Sequence, residues 1–176
     1  MTATVNNLDD LQARYDIPDD ILLRILGKKD TPSRPPRAYV TLFLKSFKFG
    51  MRCPLQPYFA RMLSGLNLTP GQLNPNRWRV LSCMFILWDR CCQNEPTIDE
   101  VKHLYQLKSS PKDAGWYYFM LSTKTRKPIT DLPIGGGENW KKKFFFAGVP
   151  GVKLHRLTGR TIVYHPVSWS QDACSL

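Results

Sequence analysis

Trp140-Lys141-Lys142-Lys143-Phe144 is the stretch whose residue types point most directly to chemistry. Lysine ammoniums neutralise phosphates, and an indole that reaches solvent stacks on a nucleobase. Arg34 and Arg37 carry the same charge on a proline-rich segment. Trp140, Lys141, Lys142, Lys143, Arg34 and Arg37 are therefore the candidate nucleic-acid-binding residues. A plainer alternative places Trp140 and the phenylalanines in a core and leaves the lysines solvated. If a strand begins at Lys141, alternation sends Lys141 and Lys143 to one face and Lys142 to the other. If it begins only at Phe144, all three lysines stand together at the mouth of a loop.

Other chemistries lack their residues. Gly135-Gly136-Gly137 is followed by Glu138-Asn139-Trp140 rather than by the Gly-Lys-Ser/Thr of a phosphate loop. Gly-x-Ser-x-Gly is absent, and no nucleophile stands out beside His103, whose Asp99 neighbour four residues earlier suits a surface ion contact. Asp89, Asp99 and Asp113 are scattered, so no carboxylate cluster for a nuclease metal emerges. Cys53, Cys83, Cys91, Cys92 and Cys174 are odd in number and lack Cys-x-x-Cys spacing, and His103, His155 and His165 lie far apart. Free thiols in a reducing compartment are expected, with no metal, no cofactor and no catalytic residue.

The charge is basic and uneven. The chain has 176 residues, with 25 Lys and Arg against 14 Asp and Glu. Residues 1–20 carry five acids and one base; 21–61 carry net +8 and 124–160 net +7, around a nearly neutral middle. With 43% hydrophobic and 12% aromatic residues, a disordered chain is excluded. No apolar run reaches 18 residues, and the acidic start resembles neither a secretory signal nor a transit peptide. The expected location is cytoplasmic or nuclear, with no membrane partner.

The elements that must position these residues are partly legible. In 17–26, Pro18, Asp19 and Asp20 suit a helix start and Gly27 its end, although the run Ile21–Leu26 also suits a strand. Pro32, Pro35 and Pro36 make a loop. Ala38–Phe49 carries both an alternating and a helical pattern, and the helical one predicts a short helix ending near Gly50. Leu55, Tyr58, Phe59, Met62, Leu63 and Leu66 line one face of a helix with Pro54 and Pro57 in its first turn. Asn74 caps the next helix, with Pro75 at its first position and a buried series Trp78, Leu81, Phe85 and Trp88. Thr97 and Glu100 have the spacing of a capping box for a third helix. Trp116–Leu121 then reads as a strand buried on both faces, Lys143–Ala147 as its antiparallel partner, and Thr161–His165 as a third strand. The link 124–139, with Pro128, Pro133 and three glycines, reads as a mobile surface loop.

Several of these stretches, in order, resemble the gypsy-type transposon domain family of plants. Pro54-Leu55-Gln56-Pro57-Tyr58-Phe59 is similar to its Pro-Leu-His-Pro-Phe, with Gln56 in place of the histidine. Leu66 to Arg79 is similar to its Leu-x-Pro-x-Gln-Leu-x-Pro-Asn-x-Trp. Glu95-Pro96-Thr97-Ile98, Gly115-Trp116-Tyr117-Tyr118-Phe119 and Asn139-Trp140-Lys141-Lys142-Lys143-Phe144-Phe145-Phe146 follow, so the resemblance covers roughly 38–149. It implies a gag-like retroelement context and carries over no catalytic residue. Reverse transcriptase, protease and integrase regions are absent from this sequence.

The expected fold is α+β: a helical core of about three main helices packed on a small antiparallel β-sheet. Residues 1–37 are expected to be an N-terminal extension with a Pro-rich basic loop, 38–165 a single globular domain, and 166–176 a tail. The expected function is a non-enzymatic structural or interaction module that binds RNA or DNA non-specifically and self-associates. The alternative is a host-adopted protein–protein interaction domain with an acidic partner.

Overall fold

Local signals mark several helix ends: a proline or a side-chain cap at the start, a left-handed residue at the stop. The computed structural model describes residues 8–24, 26–111, 115–123, 128–130 and 139–148. Helix α1 spans Leu8–Tyr15, and strand β1 spans Leu22–Arg24. Strand β2, Tyr39–Phe43, runs directly into a one-turn helix α2, Leu44–Phe47. Helix α3, Pro57–Leu66, opens on Pro57 and ends at Asn67 in the left-handed conformation, φ 60°. Pro54 lies before α3 rather than in its first turn. Helix α4 spans Pro75–Cys92, and the Asn74 side chain accepts from the Asn76 N–H at 3.1 Å. Helix α5 spans Ile98–Leu104 and has the expected reciprocal cap: Thr97 N–H to Glu100 Oε2 at 2.7 Å, Glu100 N–H to Thr97 Oγ1 at 3.2 Å. A second such box, at Thr69 and Gln72, closes the 3-10 turn Pro70–Gln72.

The strands β3 (Tyr105–Ser109), β4 (Tyr117–Leu121) and β5 (Phe144–Gly148) complete two antiparallel sheets, so the fold is α+β as expected. One sheet has the order β1-β5-β2, with Phe43 opposite Phe144 and Tyr39 opposite Gly148. The other is the ribbon β3-β4. Strand β5 is central and buried along its whole length, which is why its sequence is a continuous apolar run. Phe145 and Ala147 face the main core with Leu42, the α3 residues Tyr58, Phe59, Met62 and Leu63, and Trp78, Leu81 and Met84 of α4. Phe144 and Phe146 face the other way, into a second cluster with Phe43 and Trp140.

Several expectations change. Of the two readings of 17–26 the strand holds: Leu22–Arg24 pairs with β5, Ile17 and Ile21 are buried, and no described residue of the stretch is helical. Residues 38–49 are a strand followed by a single helical turn, because the two overlapping periods belong to two successive elements. Strand β5 does not pair with β4. Its partners are β1 and β2, while β4 pairs with β3, a strand that follows α5 without a loop. Strand β4 is not buried on both faces: Phe119 is buried, whereas Met120 is exposed. In α4, Trp78 and Leu81 are fully buried as expected, but Phe85 and Trp88 are only partly so. The segment expected as an extension, 1–37, contributes Leu11, Ile17 and Ile21 to the core over its described part. The expected strand 161–165, the tail 166–176 and most of the link 124–139, its glycine triplet included, lie outside the described residues.

Candidate nucleic-acid interface

Asn139, at φ 59°, turns the chain into a 3-10 turn, Trp140–Lys142, and the strand begins only at Phe144. All three lysines therefore precede β5, yet they do not act alike. Lys141 folds back, its Nζ 4.7 Å from the centroid of the Trp116 ring and 5.7 Å from that of Trp140. A cation over two indole faces is held by their quadrupoles. Lys142 and Lys143 are exposed.

Trp140 is buried, packed edge-on against Phe43 at 4.7 Å and against Trp116 at 6.0 Å. Trp116 is itself fixed by its indole N–H, which donates to the Gly71 carbonyl at 3.0 Å. The indole of Trp140 thus offers no open face for a base. It roofs the second aromatic cluster, and the turn that carries the lysines is anchored through it.

Arg34 and Arg37 are exposed on the proline-rich loop, which lies over β2: Thr41 Oγ1 donates to the Pro32 carbonyl at 2.8 Å. Arg37 leads into the Tyr39 end of β2, opposite Gly148, whereas Lys143 leads into the Phe144 end of β5, opposite Phe43. Those ends are about four strand residues, or roughly 13 Å, apart. The structure therefore does not gather the sequence-predicted residues into one cluster.

Residues that sequence reading missed lie at the lysine end. The Leu44 N–H donates to the Lys143 carbonyl at 3.1 Å, which seats α2, with Lys45 and then the exposed Lys48, beside Lys143. Phe49 follows, with Lys45 Nζ 5.9 Å and Arg79 Cζ 4.1 Å from its ring centroid. One signal was available: residues 31–88 hold eight Lys and Arg and no Asp or Glu. Arg61, one of these eight, pairs with Glu95 from beyond the stretch, as Arg24 pairs with Asp30 outside it; no carboxylate lies within 31–88 itself.

The groups with shifted proton affinity are mostly made unreactive. Burial, helped by the charge of Asp20, pushes the Cys53 thiol up to about 11. Burial also raises Tyr58, whose hydroxyl donates to the Leu81 carbonyl at 3.2 Å, and raises Cys83 and Tyr105. A thiol held protonated is a poor nucleophile and a poor metal ligand. Among the described residues no three His, Cys, Asp or Glu side chains come together as a metal site. Nor is any described helix long and apolar enough to cross a membrane.

Residues 40–109 match the family described as "Putative gypsy type transposon". The resemblance seen in the sequence is thus shown for that span, which runs from β2 to the end of β3. The Trp116 strand and the Trp140–Phe146 stretch lie beyond it. No curated protein and no solved structure matches the chain.

Proposed function

We propose that this chain is a non-enzymatic structural and interaction module of a gypsy-type retroelement, gag-like in role, that binds nucleic acid without sequence preference. The family match supplies the retroelement context. One observation carries the binding: exposed Lys142 and Lys143 stand beside α2, with Lys45 and Lys48, in a part of the fold whose 31–88 sequence holds no carboxylate. Such a surface condenses around phosphates and releases counterions, an interaction that ignores base identity.

The test is a titration of single-stranded RNA and DNA at two salt concentrations. Wild-type affinity should fall steeply with salt. Lys142→Ala with Lys143→Ala should weaken binding and flatten the salt slope by about 0.7 for each phosphate that is no longer neutralised. Absence of binding to either nucleic acid at low salt overturns the reading and favours an acidic protein partner.

A further inference from the structure

The ribbon β3-β4 has a second face that the core does not use. Tyr117, Phe119 and Leu121 pack inward with Tyr105 and Leu107. Register pairs Lys108 with Tyr118 and Gln106 with Met120, so alternation puts these residues on the outer face. Gln106 and Lys108 are exposed, Tyr118 is partly so, and Met120 keeps 46% of its surface in solvent. The free edge of β4 is held by residues 73–74: the Asn74 N–H donates to the Tyr117 carbonyl at 3.0 Å, and Leu73 bridges Tyr117. That contact brings the first turn of α4 to the edge of the ribbon. Arg77 reaches back from it, Cζ 5.9 Å from the centroid of the Tyr118 ring.

We infer that the outer face of the β3-β4 ribbon is a base-stacking site for single-stranded nucleic acid, with Tyr118 as the platform and Arg77 and Lys108 as its phosphate contacts. The inference rests on the nucleic-acid reading above and adds a second, chemically different contact to it. An aromatic ring on an open strand surface with a cation on either side is the arrangement that takes an unpaired base on the ring and its phosphates on the cations. Arg77 is half-buried without a carboxylate near it in sequence, and burial lowers its proton affinity. A phosphate would restore the solvation that burial removes from its guanidinium. Duplex DNA hides its base faces, so the site selects single strands.

Anisotropy of a fluorescein-labelled oligouridylate tests this on the full chain. Tyr118→Ala should weaken binding about five-fold or more while leaving the salt slope unchanged, since stacking releases few counterions. Tyr118→Phe should bind as wild type. Lys108→Ala should instead lower the slope by about 0.7. Affinity for duplex DNA should be indifferent to Tyr118→Ala. If Tyr118→Ala binds oligouridylate as wild type does while the Lys142/Lys143 double variant is weakened, the stacking site is wrong and the basic surface stands. If the wild type binds no single strand, both fall. Photocrosslinking of a 5-iodouracil oligonucleotide to the wild-type protein checks the site without any variant: a crosslink at Tyr118 is expected, and crosslinks confined to other residues overturn the inference.

Discussion

Trp140→Ala separates packing from recognition at the lysine turn. The Trp140 side chain retains 8% of its exposure and touches Phe43 and Trp116 edge-on. An aromatic of this size buries about 150–250 Å². At about 25 cal/mol per Å² that is worth roughly 4–6 kcal/mol. Compactness of the unfolded chain trims the figure by roughly 10–40%. The remainder, about 3–5 kcal/mol, agrees with what truncating a large buried aromatic costs. Against a total stability of about 5–15 kcal/mol, such a loss lowers the melting midpoint by roughly 10 °C in a chain of this size. Urea and thermal melts of the variant beside wild type give the number. Nucleic-acid affinity, measured well below both midpoints, should change far less than when Lys142 and Lys143 are replaced. A variant that melts with wild type but loses affinity would refute the argument, because it would mean that the indole stacks on a ligand instead of closing the cluster of Phe43, Phe144 and Phe146.

Gly71→Ala should lower stability by about 1–3 kcal/mol, because a Cβ there would stand 2.7 Å from the Thr41 carbonyl oxygen, a backbone atom that cannot swing aside; an unchanged thermal midpoint counts against the close approach of the Pro70–Gln72 turn to β2. Glu100 accepts from the Thr97 N–H, the Trp88 indole and the Thr97 hydroxyl, which together hold its carboxyl below the usual range. A depressed folded value means that this stabilisation is complete above the unfolded value, roughly 4.3, and disappears as pH falls through the folded one. Glu100→Gln should therefore flatten the acid limb of a stability–pH curve relative to wild type, and parallel limbs would disprove it. Iodoacetamide at pH 8, mapped by mass spectrometry, should modify the exposed Cys91 and Cys92 before Cys53, whose thiol is pushed up to about 11; faster labelling of Cys53 would show that its thiol is open to solvent after all.

What the sequence made legible follows the reach of each signal. Pro57, the Asn74-Pro75 pair and the Thr97–Glu100 box each act within four residues, and each marks a helix start that the structure keeps. The α1 helix is readable by the same standard from Leu8, Leu11 and Tyr15 at helical spacing, although the acidic charge of the segment is its more conspicuous feature. Strand pairing has no such local signal. β5 meets β1 and β2, more than a hundred residues away in the chain, rather than the nearby β4. Its unbroken run of phenylalanines tells that both faces are covered, not by what. Trp140 carries the same lesson to the candidate site. Its neighbours in sequence are lysines, which suggest a ring shared with a nucleic acid. Its neighbours in space are Phe43 and Trp116, brought there by the β2-β5 register and by the Trp116 bond to Gly71. The ring with a strand-surface position and cations beside it is Tyr118, and both of those cations come from elsewhere in the chain: Lys108 across the ribbon, Arg77 from the first turn of α4. A search for binding residues by adjacency finds Trp140; only the pairing of β3 with β4 and the docking of α4 on the ribbon's edge bring Tyr118 into view.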